Sequence, residues 1–273
     1  MSTTVRVSAL YEYPVKSCRG RPIAEARYDA LGLRHDRRWM VVRPDGRFLS
    51  QREQPRLATI FPRITPEGGL CLSADGQPTL PVPVPPAAGA ECRVKVWDDE
   101  VEAVDAGPAA AQWLQAVLDT PARLVHIGPG HRRPLKRDPG AAAGSSPAFA
   151  DAYPFLLLSE ASLIELNRRL PRPLPVNRFR PNIVVAGCQA FAEDGWSELS
   201  IGPGRFAVVS PCARCITTTT DQLRGERDGK EPLRTLARFR RLQGGPEVYF
   251  GQNLVHLEPA GLLRVGDPVQ VLK

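Results

Sequence analysis

Proline and glycine punctuate this chain from end to end. Its 273 residues include 28 prolines and 23 glycines, scattered between short apolar runs. Proline fixes φ and removes a backbone donor, while glycine admits positive φ, so short strands joined by turns are favoured over long helices. The pattern predicts strands over 5–15, 38–43, 57–64, 70–73 and 92–104, then over 123–127, 182–186, 205–210, 247–250 and 269–272. Pro44-Asp45-Gly46-Arg47 and Ala74-Asp75-Gly76 read as tight turns. Val94, Val96 and Asp98 alternate with Lys95, Trp97 and Asp99, a two-residue period that puts a hairpin tip at Asp98-Asp99-Glu100. Helices are few. One spans 108–118, opened by Pro108, with Trp113, Leu114 and Val117 on one face. A second spans 159–170 with Ser159 as N-cap, and a third spans 232–241, ended by Gly244-Gly245. The expected fold is mainly β with a few helices. A boundary near residue 120 separates a β-rich unit at 1–120 from a second at 121–273. Residues 128–148 are rich in Gly, Pro, Ala, Arg and Ser, a long loop that could be a lid, a docking surface or loose chain.

Hydrophobic residues at 42% and charged residues at 24% exclude general disorder. No apolar run approaches the ~20 residues of a membrane-spanning helix. Met1-Ser2-Thr3-Thr4 leads into a strand without an apolar signal peptide, so the expected location is cytoplasmic, with no membrane span. The net charge is +7, carried by 31 Arg and 5 Lys. Arginine suits bidentate binding of phosphate or carboxylate. The basic residues form no long block, which argues against a nucleic-acid partner and for a small anionic ligand. The cysteines are Cys18, Cys71, Cys92, Cys188, Cys212 and Cys215, expected to be reduced thiols in a cytosolic chain.

The most informative segment is Ser210-Pro211-Cys212-Ala213-Arg214-Cys215-Ile216-Thr217. A closed zinc site would need two ligands beyond this Cys pair, and the chain offers no second C-x2-C, while its closely spaced histidines, His126 and His131, lie far ahead of the cysteines rather than just after them. A redox pair belongs at a helix start, whereas Ile216 and Thr217 to Thr220 favour a strand. Two buried structural thiols are the plain alternative. Arg214 beside Cys215 favours the thiolate, the form that ligates a soft metal. Three other segments gather donors for an anion: Tyr13-Pro14-Val15-Lys16-Ser17-Cys18-Arg19-Gly20, Gly32-Leu33-Arg34-His35-Asp36-Arg37-Arg38-Trp39 and Asn177-Arg178-Phe179-Arg180-Pro181-Asn182. Each alone is an ordinary polar loop beside a strand. His35, His126, His131 and His256 are expected to be structural or exposed.

These segments, with Ser159-Glu160-Ala161-Ser162 and Phe250-Gly251-Gln252-Asn253, occur in an order that resembles the MOSC family, named for the molybdenum cofactor sulfurase C-terminal domain. Within it the chain is similar to the mitochondrial amidoxime-reducing component and its bacterial counterparts, over nearly its whole length. The resemblance implies an N-terminal β-rich MOSC subdomain followed by a MOSC β-barrel. It implies that Cys215 ligates molybdenum, and that Lys16, Ser17, Arg37, Arg180 and Asn182 hold the pterin of the molybdenum cofactor. Ala213 and Arg214 match the positions just before the ligand. Asp151 matches the acidic position before Pro154-Phe155-Leu156-Leu157, and Asn253 lies in the late loop lining the cofactor. Where the family has small hydroxyl residues after that acid, this chain departs with Ala152 and Tyr153; by position Tyr153 is counted with the cofactor-binding residues.

The implied activity is reduction of N-hydroxylated compounds by Mo-molybdopterin, with Asp36 or Asp151 assisting proton delivery. No mitochondrial anchor is expected ahead of the barrel, and with no plant-type iron–sulfur C-x4-C-x2-C in the sequence electrons are expected from a separate ferredoxin-, flavin- or cytochrome-type protein. Two other roles stand beside this one: a sulfur carrier with a Cys215 persulfide, and a non-catalytic module that binds an anionic ligand.

Overall fold

The structure is a computed structural model that describes residues 4–87, 89–137, 140–242 and 245–273. Its main sheet has eight strands, in the order Arg21–Ile23, Arg6–Glu12, Ile183–Ala186, Phe155–Ser159, Val248–His256, Gly204–Arg214, Glu198–Ile201 and Val269–Val271. Phe155–Ser159 and Ile183–Ala186 run parallel and are joined through the helix Glu160–Arg169, the kind of crossover a parallel pair requires. Ser159 caps that helix as expected, accepting from Ser162 N at 3.1 Å. The two ends of the sheet meet: Val7 N donates to Asp267 O at 2.9 Å and Val269 N to Val5 O at 2.8 Å. The curved sheet thus closes towards a barrel around Leu10, Tyr28, Phe155, Leu157, Phe206 and Leu254.

A four-stranded sheet follows the order Trp39–Val42, Arg123–Ile127, Asp99–Asp105, Glu91–Val96. A three-stranded meander runs Phe61–Ile64, Leu70–Ser73, Leu80–Val82. The helix Pro108–Leu118 covers both through Trp113 and Leu114, which pack with Trp39, Val41, Leu57 and Leu124. The mainly β expectation holds. Among the described residues no helix is long and apolar enough to cross a membrane.

Several expected boundaries move for physical reasons. The first strand stops at Glu12 rather than at residue 15, because Tyr13 and Pro14 turn the chain and Pro14 O accepts from Trp39 N at 3.1 Å. The predicted strand 57–64 splits into a 3-10 helix, Pro55–Thr59, and the strand Phe61–Ile64. Pro55 at the helix start and the Leu57 N to Gln54 O bond explain the tight turn. The hairpin tip lies at Trp97-Asp98, since Val96 pairs with Asp99. Trp97 there takes a φ of 59°. Of the helix 232–241 only Leu233–Leu236 is α-helical. Arg240 instead accepts from Tyr249 N at 2.9 Å through its carbonyl, drawing the chain to the edge of Val248–His256; Gly244 lies outside the described residues. Gly204–Arg214 and Val248–His256 run well past 210 and 250, and they carry the site.

The long loop is strapped down by one guanidinium. Arg133, 3% exposed, donates to Asp99 Oδ2 at 3.0 Å and to the carbonyls of Ala148 at 3.0 Å and Ala150 at 2.6 Å. Phe149 N in turn donates to Arg37 O at 2.9 Å. Replacing Arg133 by Ala strands those carbonyls, so Arg133→Ala should lower unfolding free energy by about 2–4 kcal/mol. Urea titration measures this; an unchanged midpoint would show that the loop is held by something else.

Candidate functional site

The site begins at a buried carboxylate. Asp36, 3% exposed, accepts from Tyr13 N at 2.8 Å and from Asn182 Nδ2 at 3.0 Å through Oδ1, and pairs with Arg37 through Oδ2. Asn182 opens the buried strand Ile183–Ala186, and its Oδ1 accepts from Leu156 N at 3.2 Å and from Arg37 Nη1 at 3.3 Å. The Arg37 and Arg180 guanidiniums lie 4.6 and 4.3 Å from the centroid of the Tyr13 ring. Arg180, 9% exposed, also donates to Cys18 O at 2.7 Å. Burial pulls its pKa down to about 10 against the opposing pull of Tyr13. Its Nη2, like Arg214 Nε, is buried without a partner in the protein.

Lys16 is 4% exposed and donates to Phe149 O at 2.7 Å and to Asp151. Burial alone would raise the Asp151 carboxyl; the Lys16 charge and hydrogen bond, with Arg52 and Arg37, outweigh it and hold the group well below the usual carboxylate range. The Asp151 side chain is 63% exposed, so water screens that pull. Ser17 next to Lys16 has φ 67°, Arg37 49° and Arg180 56°. Positive φ strains a residue with a side chain, and three of the nominated residues carry it.

Cys215 follows the end of Gly204–Arg214, and Pro211 and Ala213 sit beside irregularities in that strand's pairing with Val248–His256. The Sγ is partly exposed, accepts from Arg52 Nε at 3.2 Å and donates to Thr217 Oγ1 at 3.4 Å. Burial opposes ionisation, but Thr217 and the Arg52 charge prevail and lower the thiol pKa. Arg214 turns its Nη2 onto Phe179 O at 2.5 Å and its Nη1 onto Cys212 Sγ at 2.9 Å. Ala213 is exposed between them.

The structure therefore joins Lys16, Ser17, Asp36, Arg37, Asp151, Arg180, Asn182, Arg214 and Cys215 through shared neighbours. Tyr153 and Asn253 meet farther along the same strand. Both bond to the Ser210 hydroxyl, with Asn253 Nδ2 3.3 Å from it. Tyr153 is buried with Ala207, Val209 and Val255, a different apolar cluster from the one behind the arginines. Among the described residues no group of three or more His, Cys, Asp or Glu comes together as a metal cage.

Sequence reading missed the residues that bridge the halves. Gln51 and Gln222 exchange amide hydrogen bonds at 3.1 and 2.8 Å, and Gln51 also donates to Ser17 O at 2.7 Å. Arg227 donates to Arg52 O at 2.7 Å and to Ile216 O at 2.8 Å, pinning the Arg52 loop against the Cys215 turn. Trp97 Nε1 donates to Asp151 Oδ1 at 3.3 Å, and the Arg52 guanidinium lies 4.2 Å from the Trp97 ring. Gln51 and Gln222, like Arg52 and Arg227, stand more than a hundred residues apart, and no local spacing announces these links.

Burial pushes the Lys16 pKa down to about 8 from 10.5, although Asp151 pulls it up. In that interval the unfolded chain holds a proton that the folded chain has released, so stability rises with pH. Wild-type stability relative to Lys16→Met should therefore increase from pH 7 to pH 10, measured by urea unfolding at both; a difference that stays flat or shrinks would contradict the burial argument.

Residues 4–121 match the sequence model of the MOSC N-terminal beta barrel domain, and residues 145–270 that of the MOSC domain. The chain is 42% identical to mitochondrial amidoxime-reducing component 1 of Homo sapiens, across 97% of this chain and 82% of that protein. It is 40% identical to the Mus musculus protein of the same name, with 97% and 82% covered. Against mitochondrial amidoxime reducing component 2 of Homo sapiens it is 37% identical, with 96% and 82% covered. On matches that span nearly all of its length, this chain belongs to the MOSC family.

Proposed function

We infer that this protein is a molybdenum-cofactor-dependent reductase of N-hydroxylated compounds, with Cys215 as the metal ligand. The observation that carries the reading is the meeting of a cation-stabilised thiol with buried guanidinium N–H groups that the protein leaves unpaired, Arg180 Nη2 and Arg214 Nε. A soft metal on an anionic organic carrier needs one thiolate and several charge-assisted donors, and the residues present fit that need. Lys16, Ser17, Arg37, Arg180 and Arg214 would hold the carrier, and Asn182 would fix the arginines around it. Once bound, the cofactor supplies the redox chemistry at the N–O bond.

The protein's own contribution is placement and charge. Both oxygens of Asp36 are committed to Tyr13, Asn182 and Arg37, so its part is to orient that arginine. Asp151 stays ionised beside Lys16 and keeps that ammonium charged in a buried place. Neither carboxyl is arranged to donate a proton, and we assign protons to solvent reaching the partly exposed Cys215 face. In the balanced reaction the N–O bond breaks and an N–H bond forms. Oxygen leaves as water, protons come from solvent, and an electron pair comes from a separate electron-transfer protein of the ferredoxin, flavin or cytochrome class.

Protein expressed in a cofactor-competent host should contain molybdenum and reduce benzamidoxime with reduced methyl viologen as donor. Cys215→Ala should lose that turnover while keeping the far-UV circular dichroism of the wild type. Full turnover by Cys215→Ala with metal still bound would overturn the ligand assignment.

A further inference from the structure

Across Arg52 from Cys215 lies a cavity of about 380 Å³. Its aromatic wall is Phe48 and Trp97, packed edge to face with centroids 4.9 Å apart. Both rings also touch the site: Lys16 Nζ lies 5.1 Å from the Phe48 centroid, and Arg52 bridges from the Trp97 face to Cys215 Sγ. Trp97 holds its indole there from a hairpin turn at φ 59°, a conformation that strains a bulky residue.

The rim has an unbalanced charge. Arg47 and Lys95 form a parallel bridge, fixed by Phe48 N to Lys95 O at 3.1 Å and Lys95 N to Gly46 O at 2.9 Å. Both side chains are exposed and line the cavity. Among the described residues the Arg47 guanidinium has only Asp45 as an ion-pair partner, at 3.9 Å. Glu100 stands opposite Lys95 on the hairpin but forms no ion pair with it among the described residues. Arg43 is already neutralised by Glu53 at 3.0 Å, and Asp98 is the other acid of the lining. Adjacent like charges on paired strands repel, and an anion seated between them removes that penalty.

A flat apolar wall with Arg52, the donor to Cys215 Sγ, at one end and two neighbouring cations at the other fits one class of molecule. We propose that this cavity is the substrate chamber, and that it selects planar aromatic N-hydroxylated compounds carrying a carboxylate or phosphate that docks between Arg47 and Lys95. This rests on the reductase reading above.

The test compares 4-carboxybenzamidoxime, benzamidoxime and 4-(aminomethyl)benzamidoxime on the holoenzyme at low salt, with reduced methyl viologen as donor. The anionic substrate should exceed the cationic one by about tenfold in kcat/KM, chiefly through KM, as expected for two partly screened charges. The Arg47→Glu/Lys95→Glu double variant should invert that order. Lys230→Glu, the same kind of change at an exposed lysine outside the cavity, should leave it standing. Calorimetric binding of 4-carboxybenzamidoxime, read without turnover, should weaken about tenfold in the double variant. If benzamidoxime is reduced but the double variant changes neither the order nor the calorimetric affinity, the chamber is refuted and the reductase reading survives. If no amidoxime is reduced yet binding remains charge-selective and lost in the double variant, the reductase reading fails and the anion-selective cavity stands.

Discussion

The carboxylate of Asp36 is where the two halves of the chain are fastened. It sits at the turn before Trp39–Val42, takes the backbone N–H of Tyr13 at the exit of the first strand, and takes the amide of Asn182 at the entry to Ile183–Ala186. A buried charge is costly unless its lone pairs are satisfied, and here Arg37 completes the set. With that junction in place, the Tyr13 ring has Arg37 and Arg180 lying over it, and each guanidinium is fixed in direction. Without it, Arg37 would lose the ion pair that fixes its direction.

The second half of the site is built by polar links of the same kind. The reciprocal Gln51 and Gln222 amides are fully or almost fully buried, and Arg227 grips the carbonyls of Arg52 and Ile216. These bonds set Arg52 against Cys215. Six non-glycine residues among those described have positive φ, and Ser17, Arg37, Trp97 and Arg180 all belong to this region. Strain gathered in one place and held by redundant hydrogen bonds is the mark of a pre-organised site. The anions and cations are positioned before any ligand arrives, so binding need not order them.

Much of this was legible in the sequence where the signal is local. Pro108 opens its helix and Ser159 caps its own, because these preferences act over one turn of chain. Leu70–Ser73 and Arg123–Ile127 fall where apolar residues bounded by turn formers placed them. The nominated Lys16, Arg37, Asp151, Arg180, Asn182, Arg214 and Cys215 do converge. The third helix failed because Arg240 prefers Asp194 and the Val248–His256 edge to another helical turn, a tertiary choice. Short strands such as Arg21–Ile23 and Gly261–Arg264 carry too few residues to show a period. Arg52, Trp97 and Arg227 were illegible because their importance lies entirely in long-range partners. Arg133 was hidden in a loop whose composition reads as loose, although one buried guanidinium orders it.

The account turns on whether a protein thiolate completes the metal's coordination in the space these arginines enclose. X-ray absorption at the molybdenum edge of the holoprotein addresses this directly. The account predicts one sulfur scatterer beyond those the cofactor's own dithiolene supplies, present in the wild type and absent in Cys215→Ser. An identical sulfur shell in the two proteins would contradict it.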